Sequence, residues 1–155
     1  MKNRKKLLII DDNKLNQRVL SDMLEKDNYH ILTADNTEKA KNIIKDFKPD
    51  LILLDIILPK ISGLEFCKHL KSKEKTAEIP VIFISTLKRS RDIVKGFKVG
   101  GVDYITKPFQ EEVVLARIKT HLKLNETKKE LKKKNEQQDI LLENIDTQIW
   151  YLEDK

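Results

Sequence analysis

Asp11 and Asp12 stand side by side behind the apolar run Leu7–Ile10. Asp55 follows the run 51–54, Ser85 and Thr86 follow 81–84, and Lys107 with Pro108 follows 102–106. Short runs rich in branched side chains read as strands. In an open parallel sheet, ligands bind outside the carboxyl ends of the strands, where the strand order switches. Three carboxylates, a hydroxyl and an ammonium then converge without a long reach. Gathered carboxylates raise one another's pKa and repel unless a cation intervenes. Hard oxygen ligands suit Mg²⁺, or Mn²⁺ in its place; Mg²⁺ keeps waters and commonly uses one or two carboxylates plus a phosphate. Two adjacent acids alone would read as a solvated strand end. With Asp55 and Lys107 at matching ends, a divalent-cation site is the better reading.

The elements that must hold these residues are legible in the hydrophobic pattern. "LLII" (7–10), "LILL" (51–54) and "VIFI" (81–84) suit strands buried on both faces. "HILTA" (30–34) and "VDYIT" (102–106) read as flanking strands. Between them lie amphipathic stretches. Leu15, Val19, Leu20, Met23 and Leu24 form one stripe, and Ala40, Ile43, Ile44 and Phe47 a second. Leu64, Phe66, Cys67 and Leu70 mark a third helix. Ile93, Val94 and Phe97 mark a fourth, ending near Gly100–Gly101, and Val113, Val114, Ile118 and Leu122 a fifth. Five repeats of strand then helix predict a parallel α/β sheet with helices on both faces.

Bulk composition sets the limits. Of 155 residues 39% are hydrophobic, enough for a core, and 36% are charged. No run approaches the ~20 apolar residues of a membrane span, and no signal peptide is legible. Cys67 is the sole cysteine, which fits a reducing, cytoplasmic setting. The net charge is +6, and residues 119–134 concentrate it, with seven lysines and two glutamates. No aromatic residue interleaves with these lysines, so a solvated helix is expected rather than a nucleic-acid interface.

The pieces "LLIIDD", "DLILLDIILPKISGLE", "IPVIFIST" and "GGVDYITKPF" stand in the order and rough spacing of a known family. Over residues 5–122 the chain resembles the receiver domain of two-component response regulators. The resemblance implies a flavodoxin-like sheet of order 2-1-3-4-5. Asp55 would be the phosphoacceptor, taking the phosphoryl group of a phosphohistidine on a sensor histidine kinase or phosphotransfer protein. Asp12, with Asp11 through water, would hold Mg²⁺ beside Asp55, and the Ile57 backbone carbonyl would be a further ligand. Lys107 would pair with the phosphoryl oxygens, and a cis peptide bond before Pro108 would aim it. Ser85 would bond the new phosphoryl group, and Tyr104 would turn inward behind it. Gly63 fits the position where the family needs an unusual backbone. Such a domain is a phosphoacceptor that assists its own phosphorylation and dephosphorylation, not a turnover enzyme.

Two departures stand out. Thr86 is bulkier than the family's usual small residue after the switch hydroxyl, and would restrict access of the donor or movement of Tyr104. Ile57 and Leu87 stand two residues beyond Asp55 and Ser85, where the family flanks the path of hydrolytic water. Both are apolar, so slow hydrolysis of the aspartyl phosphate is expected. His30, His69 and His121 lack the context of a kinase phosphoacceptor. Cys67 and Phe109 read as packing residues.

The sequence divides at residue 122 into a receiver domain, 1–122, and a helical linker, 123–155. The linker has no Pro or Gly. Leu124, Leu131, Ile145 and Leu152 fall at multiples of seven, interrupted by Gln138, beside a companion series of Lys128, Asn135, Leu142 and Ile149. This weak heptad predicts one long helix, with a solvated single helix or a parallel coiled coil as the alternatives. Eight of the thirteen residues 140–152 are apolar, which implies a partner or the start of another domain. The stretch "DILLENIDTQIWYLEDK" resembles the lead-in to a PAS sensory domain, so a continuation to a histidine kinase or diguanylate cyclase is expected. A homodimer is expected through the fourth helix, fifth strand and fifth helix, with Lys95, Asp103 and Arg117 as salt-link candidates, or through the C-terminal helix. Three other readings compete. Adjacent acids do not match the Asp-x-Asp of haloacid-dehalogenase-type phosphatases. Nucleic-acid binding rests on charge alone. A scaffold that is never phosphorylated rests on Thr86.

Overall fold

The computed structural model describes the backbone of residues 3–86 and 90–153, and the side chains of these except 90 and 146–153. The elements alternate: β1 (Lys6–Ile10), α1 (Lys14–Glu25), β2 (His30–Ala34), α2 (Thr37–Phe47), β3 (Leu51–Asp55), α3 (Gly63–Ser72), β4 (Val81–Ser85), α4 (Ser90–Lys98), β5 (Asp103–Thr106) and α5 (Glu111–Glu153). All strand pairings are parallel, in the order β2-β1-β3-β4-β5. The five strand–helix repeats read from the hydrophobic pattern are the ones observed.

The two-residue period of a strand sorts the core into two layers. Leu8, Ile10, Ile52, Leu54, Val81 and Phe83 face one side, against Ala40 and Ile44 of α2 and Phe66, Cys67 and Leu70 of α3. Leu7, Ile9, Leu51, Leu53, Ile82 and Ile84 face the other, against Leu20 and Leu24 of α1 and Val114, Ile118 and Leu122 of α5. Each valine, leucine, isoleucine or phenylalanine among them contributes about 1.5–3 kcal/mol when fully buried. β1, β3 and β4 are buried on both faces, whereas β2 at the edge leaves His30, Leu32 and Thr33 exposed.

Local chemistry sets the helix ends. Asn13, Asn36 and Ser62 cap α1, α2 and α3, each side chain accepting a backbone N–H of the first turn. Such a cap contributes about 1 kcal/mol. After α4, Gly100 adopts φ 103°; its N–H donates to the Phe97 carbonyl and that of Gly101 to the Gly96 carbonyl. That double bond pattern stops a helix where only glycine is comfortable.

Gly63 corrects one expectation. The left-handed residue after β3 is Lys60, with φ 70°. Gly63 is required by close approach instead: a Cβ there would overlap the Asp55 carbonyl, and the Gly63 N–H donates to Ile56 O at 2.7 Å.

The chain forms two compact units, Met1–Leu122 and Lys123–Lys155. The fifth helix and the long helix expected after residue 122 are one element, because no Pro or Gly follows Pro108. Among the described residues no helix is long and apolar enough to cross a membrane. Leu124, Leu131, Leu142 and Ile145 are exposed, while the side chains of Ile149, Trp150 and Leu152 lie outside the described residues.

Candidate functional site

The parallel ladder brings the strand ends together. Asp55 pairs with Ile84 in register, Ser85 with Thr106, and the Lys107 N–H donates to the Ser85 carbonyl. The Lys107–Pro108 peptide is cis. Lys107 Nζ lies 2.9 Å from Asp55 Oδ2 and 3.4 Å from Asp11 Oδ2. The remaining Asp55 oxygen accepts the Ile57 N–H at 3.0 Å, and Asp11 Oδ1 accepts the Asn13 N–H at 2.9 Å. One carboxylate oxygen from each of Asp11, Asp12 and Asp55 lies within 4.8 Å of the other two. Asp11 and Asp55 are buried, and Asp12 is exposed at the rim.

The electrostatics are unbalanced. Burial raises the Asp11 carboxyl above its ordinary pKa; the Asn13 N–H opposes this, the Asp55 charge reinforces it, and Lys107 offsets only part. Burial works against the Lys107 ammonium, yet its bond to Asp55 and the charges of Asp55 and Asp11 hold its pKa above the ordinary lysine value. One ammonium thus serves two buried carboxylates with a third beside them. Asp11 Oδ2 is buried and accepts no hydrogen bond among the described residues. A buried acceptor left this way costs about 1–3 kcal/mol, more when charged. An all-oxygen set whose buried Asp11 Oδ2 has only the shared Lys107 ammonium at 3.4 Å beside it fits a hard divalent cation such as Mg²⁺.

Ser85 is buried at the end of β4, and Thr86 is exposed directly after it. Tyr104 is 8% exposed and belongs to the core layer that holds Phe83. Ile57 is 61% exposed, at the rim beyond Asp55. Leu87 lies outside the described residues. Lys95 is exposed on α4. Asp103 and Arg117 are joined within the chain, Arg117 Nη1 to Asp103 Oδ1 at 2.5 Å.

Two supporting roles, those of Gln17 and His121, were not read from the sequence. Gln17 donates through Nε2 to the Asp11 carbonyl at 2.5 Å and fixes the backbone beneath the acids. Its signal was a polar residue on the same helical stripe as Leu20 and Leu24. His121 Nε2 lies 2.8 Å from Asp103 Oδ2, one turn along α5 from Arg117. Its signal was the four-residue spacing from that arginine.

The sequence profile of the family described as "Response regulator receiver domain" matches residues 7–119. The phosphate regulon transcriptional regulatory protein PhoB of Pseudomonas aeruginosa is 41% identical over 119 residues, covering 77% of this chain and 52% of PhoB. The crystal structure of a two-component response regulator from Clostridium difficile is similar with TM-score 0.73 and 32% identity, covering 77% of this chain and 97% of that one. The signal receiver domain of a signal transduction histidine kinase from Syntrophus aciditrophicus gives TM-score 0.71 and 30% identity, covering 77% of this chain and 90% of that one. The chain spans about half the length of the curated relatives it matches.

Proposed function

The chain belongs to the response regulator receiver domain family of two-component systems, and on that premise we propose that it is a phosphorylation-dependent switch with Asp55 as phosphoacceptor. Receiver domains are regulatory phosphoacceptors, phosphorylated by histidine kinases, with Mg²⁺ at an acidic pocket. The observation that carries the assignment is the Lys107 ammonium 2.9 Å from Asp55 and 3.4 Å from Asp11, with Asp12 beside them.

An Asp55 carboxylate oxygen attacks the phosphorus of a phosphohistidine on a histidine kinase or phosphotransfer protein. The O–P bond forms in line as the P–N bond breaks, and the imidazole leaves. Positioning and charge neutralisation supply most of the rate in such transfers. The Ile57 N–H holds one Asp55 oxygen, and the Asn13 N–H and Gln17 fix Asp11. Lys107 neutralises the charge that gathers on the phosphoryl oxygens. Asp11, Asp12 and Asp55, with the Ile57 carbonyl, are the groups that would hold Mg²⁺ or Mn²⁺, and such an ion would supply positive charge to the phosphoryl oxygens beside Lys107.

Ser85 then bonds the new phosphoryl group, and Tyr104 settles behind it, a two-state element biased by local charge. The deep seat of the Tyr104 ring supports this role. Thr86, exposed at the mouth, tunes donor access. The output lies elsewhere: α5 relays the state toward a domain that begins with the PAS-like lead-in at 139–155, continuing to a histidine kinase or diguanylate cyclase. Homodimers form through the α4–β5–α5 face near Lys95, Asp103 and Arg117, through the C-terminal part of α5, or both. The setting is cytoplasmic.

Intact mass after incubation with Mg²⁺ and acetyl phosphate tests the assignment. One phosphoryl adduct is expected, lost in Asp55→Ala and when Mg²⁺ is removed. An adduct that survives Asp55→Ala would place the acceptor elsewhere.

A further inference from the structure

Residues 119–134 carry seven lysines and two glutamates, whereas residues 135–153 carry five acidic residues and no basic one. One helix therefore joins a stretch of charge +5 to a stretch of charge −5. Along it Leu124, Leu131, Leu142 and Ile145 are 58%, 56%, 60% and 50% exposed, at heptad-related spacings. A soluble surface seldom leaves so regular an apolar row uncovered. We infer that this part of α5 pairs antiparallel with the same part of a second copy, the basic stretch of each lying along the acidic stretch of the other. The inference rests on the reading of this helix as a pairing element, and adds its orientation and register.

Charge argues first. Paired helices lie about 8–10 Å apart, within the Debye length of roughly 8–10 Å near physiological ionic strength. Parallel, in-register pairing sets each basic stretch against its copy and each acidic stretch against its copy, so both halves repel. Antiparallel pairing makes both halves attract.

The seam argues second. The two heptad series place Leu124, Leu131, Gln138 and Ile145 in one set of core positions and Lys128, Asn135 and Leu142 in the other. A parallel pair would put Lys128 against Lys128 in the seam. In an antiparallel pair the two sets face each other. One register sets Leu131 against Leu142, Asn135 against Gln138 and Lys128 against Ile145. Apolar then meets apolar and amide meets amide. The Lys128 stem covers Ile145 while its ammonium extends to the acidic flank of the second copy, the usual compromise of an amphipathic lysine.

The test uses the whole 155-residue chain and two readouts. The first is the dimer dissociation constant by sedimentation at ~50 mM and ~500 mM NaCl, which brackets strong and weak screening. The second is disulfide trapping in a mixture of Leu131→Cys and Leu142→Cys chains. Both positions are exposed, so neither change threatens folding, and the native Cys67 stays silent, buried with its thiol pKa pushed up to about 11. The mixed 131–142 disulfide should outnumber both symmetric ones, and salt should weaken the dimer by about tenfold or more, as expected when several charge pairs are screened. Symmetric disulfides with a dimer tightened by salt would overturn the orientation and leave the pairing reading standing. A dimer with no disulfide at either position, or a monomer throughout, would overturn the pairing reading itself.

Discussion

Asp11 is a buried carboxylate opposed by its surroundings. It is fully buried, its Oδ2 accepts no hydrogen bond among the described residues, and burial with the Asp55 charge raises its pKa. Without a cation that arrangement costs stability; with one it becomes a binding site. Asp11→Asn keeps an oxygen for the Asn13 N–H and removes the charge. The variant should therefore be more stable than the parent in EDTA by about 1 kcal/mol, and should lose most of the stabilisation Mg²⁺ gives the parent. For the parent, saturation at a hundred times Kd is worth about 2.7 kcal/mol. Urea denaturation with and without Mg²⁺ reads both; a variant less stable than the parent in EDTA would show that Asp11 is not destabilising. Ile57, exposed at the rim, raises a kinetic question instead. If Ile57 flanks the path of the hydrolytic water, Ile57→Asn puts an amide there, and the phosphorylated form should decay roughly threefold to tenfold faster, short of the ~10²-fold or more of a true general base. An unchanged half-life by intact-mass time course would remove Ile57 from the hydrolysis path. At this scale the sequence showed the strand-end residues, since a residue that ends an apolar run has its place set by the sheet. It did not show Gln17, whose role depends on which face of α1 meets the acids.

Asp103 ties β5 to α5. Its Oδ1 accepts the Tyr104 N–H and meets Arg117, and its Oδ2 meets His121. Partial burial raises its pKa, but His121, the Tyr104 N–H and Arg117 outweigh that and leave it below the ordinary carboxylate value of 3.8. A depressed carboxyl contributes stability above its unfolded pKa and loses it as pH falls through its folded pKa. The stability difference between the parent and Asp103→Asn should therefore shrink as pH falls through the ordinary carboxylate range. Unfolding free energies across that range check the sign; a gap that widens on acidification would mean the pair is not holding β5 to α5. The strands and helices themselves were legible because their apolar periods differ. This latch was not: His121, Arg117 and Asp103 come from two elements, and only the packing of α5 against the sheet brings them together. Gly63 was legible as a required glycine but for the wrong reason, since close approach of Asp55 to α3 exists only in the folded chain.

At the scale of the molecule, the core is confined to one part of the chain. Every residue of both core layers lies between Leu7 and Leu122, and the apolar side chains described beyond Leu122 are exposed. The sequence conveyed this division through composition, because lysines crowd residues 123–134, directly after the last core residue. It left the pairing mode of the tail open, since a heptad records which side is apolar and not which way a partner runs. If the core holds the fold alone, a chain ending at Glu126, which keeps the last turn under Leu122, should melt within about 2 °C of the full chain at low concentration, a shift smaller than that produced by 1 kcal/mol in a domain of this size. The full chain should then melt higher as its concentration rises, because association adds stability by mass action. The shortened chain should not. Thermal melts of both at two concentrations separate the contributions. A large drop for the shortened chain at low concentration would mean that residues beyond 126 stabilise the receiver fold directly, and equal concentration dependence would mean that association runs through residues 1–126 and not through the helix.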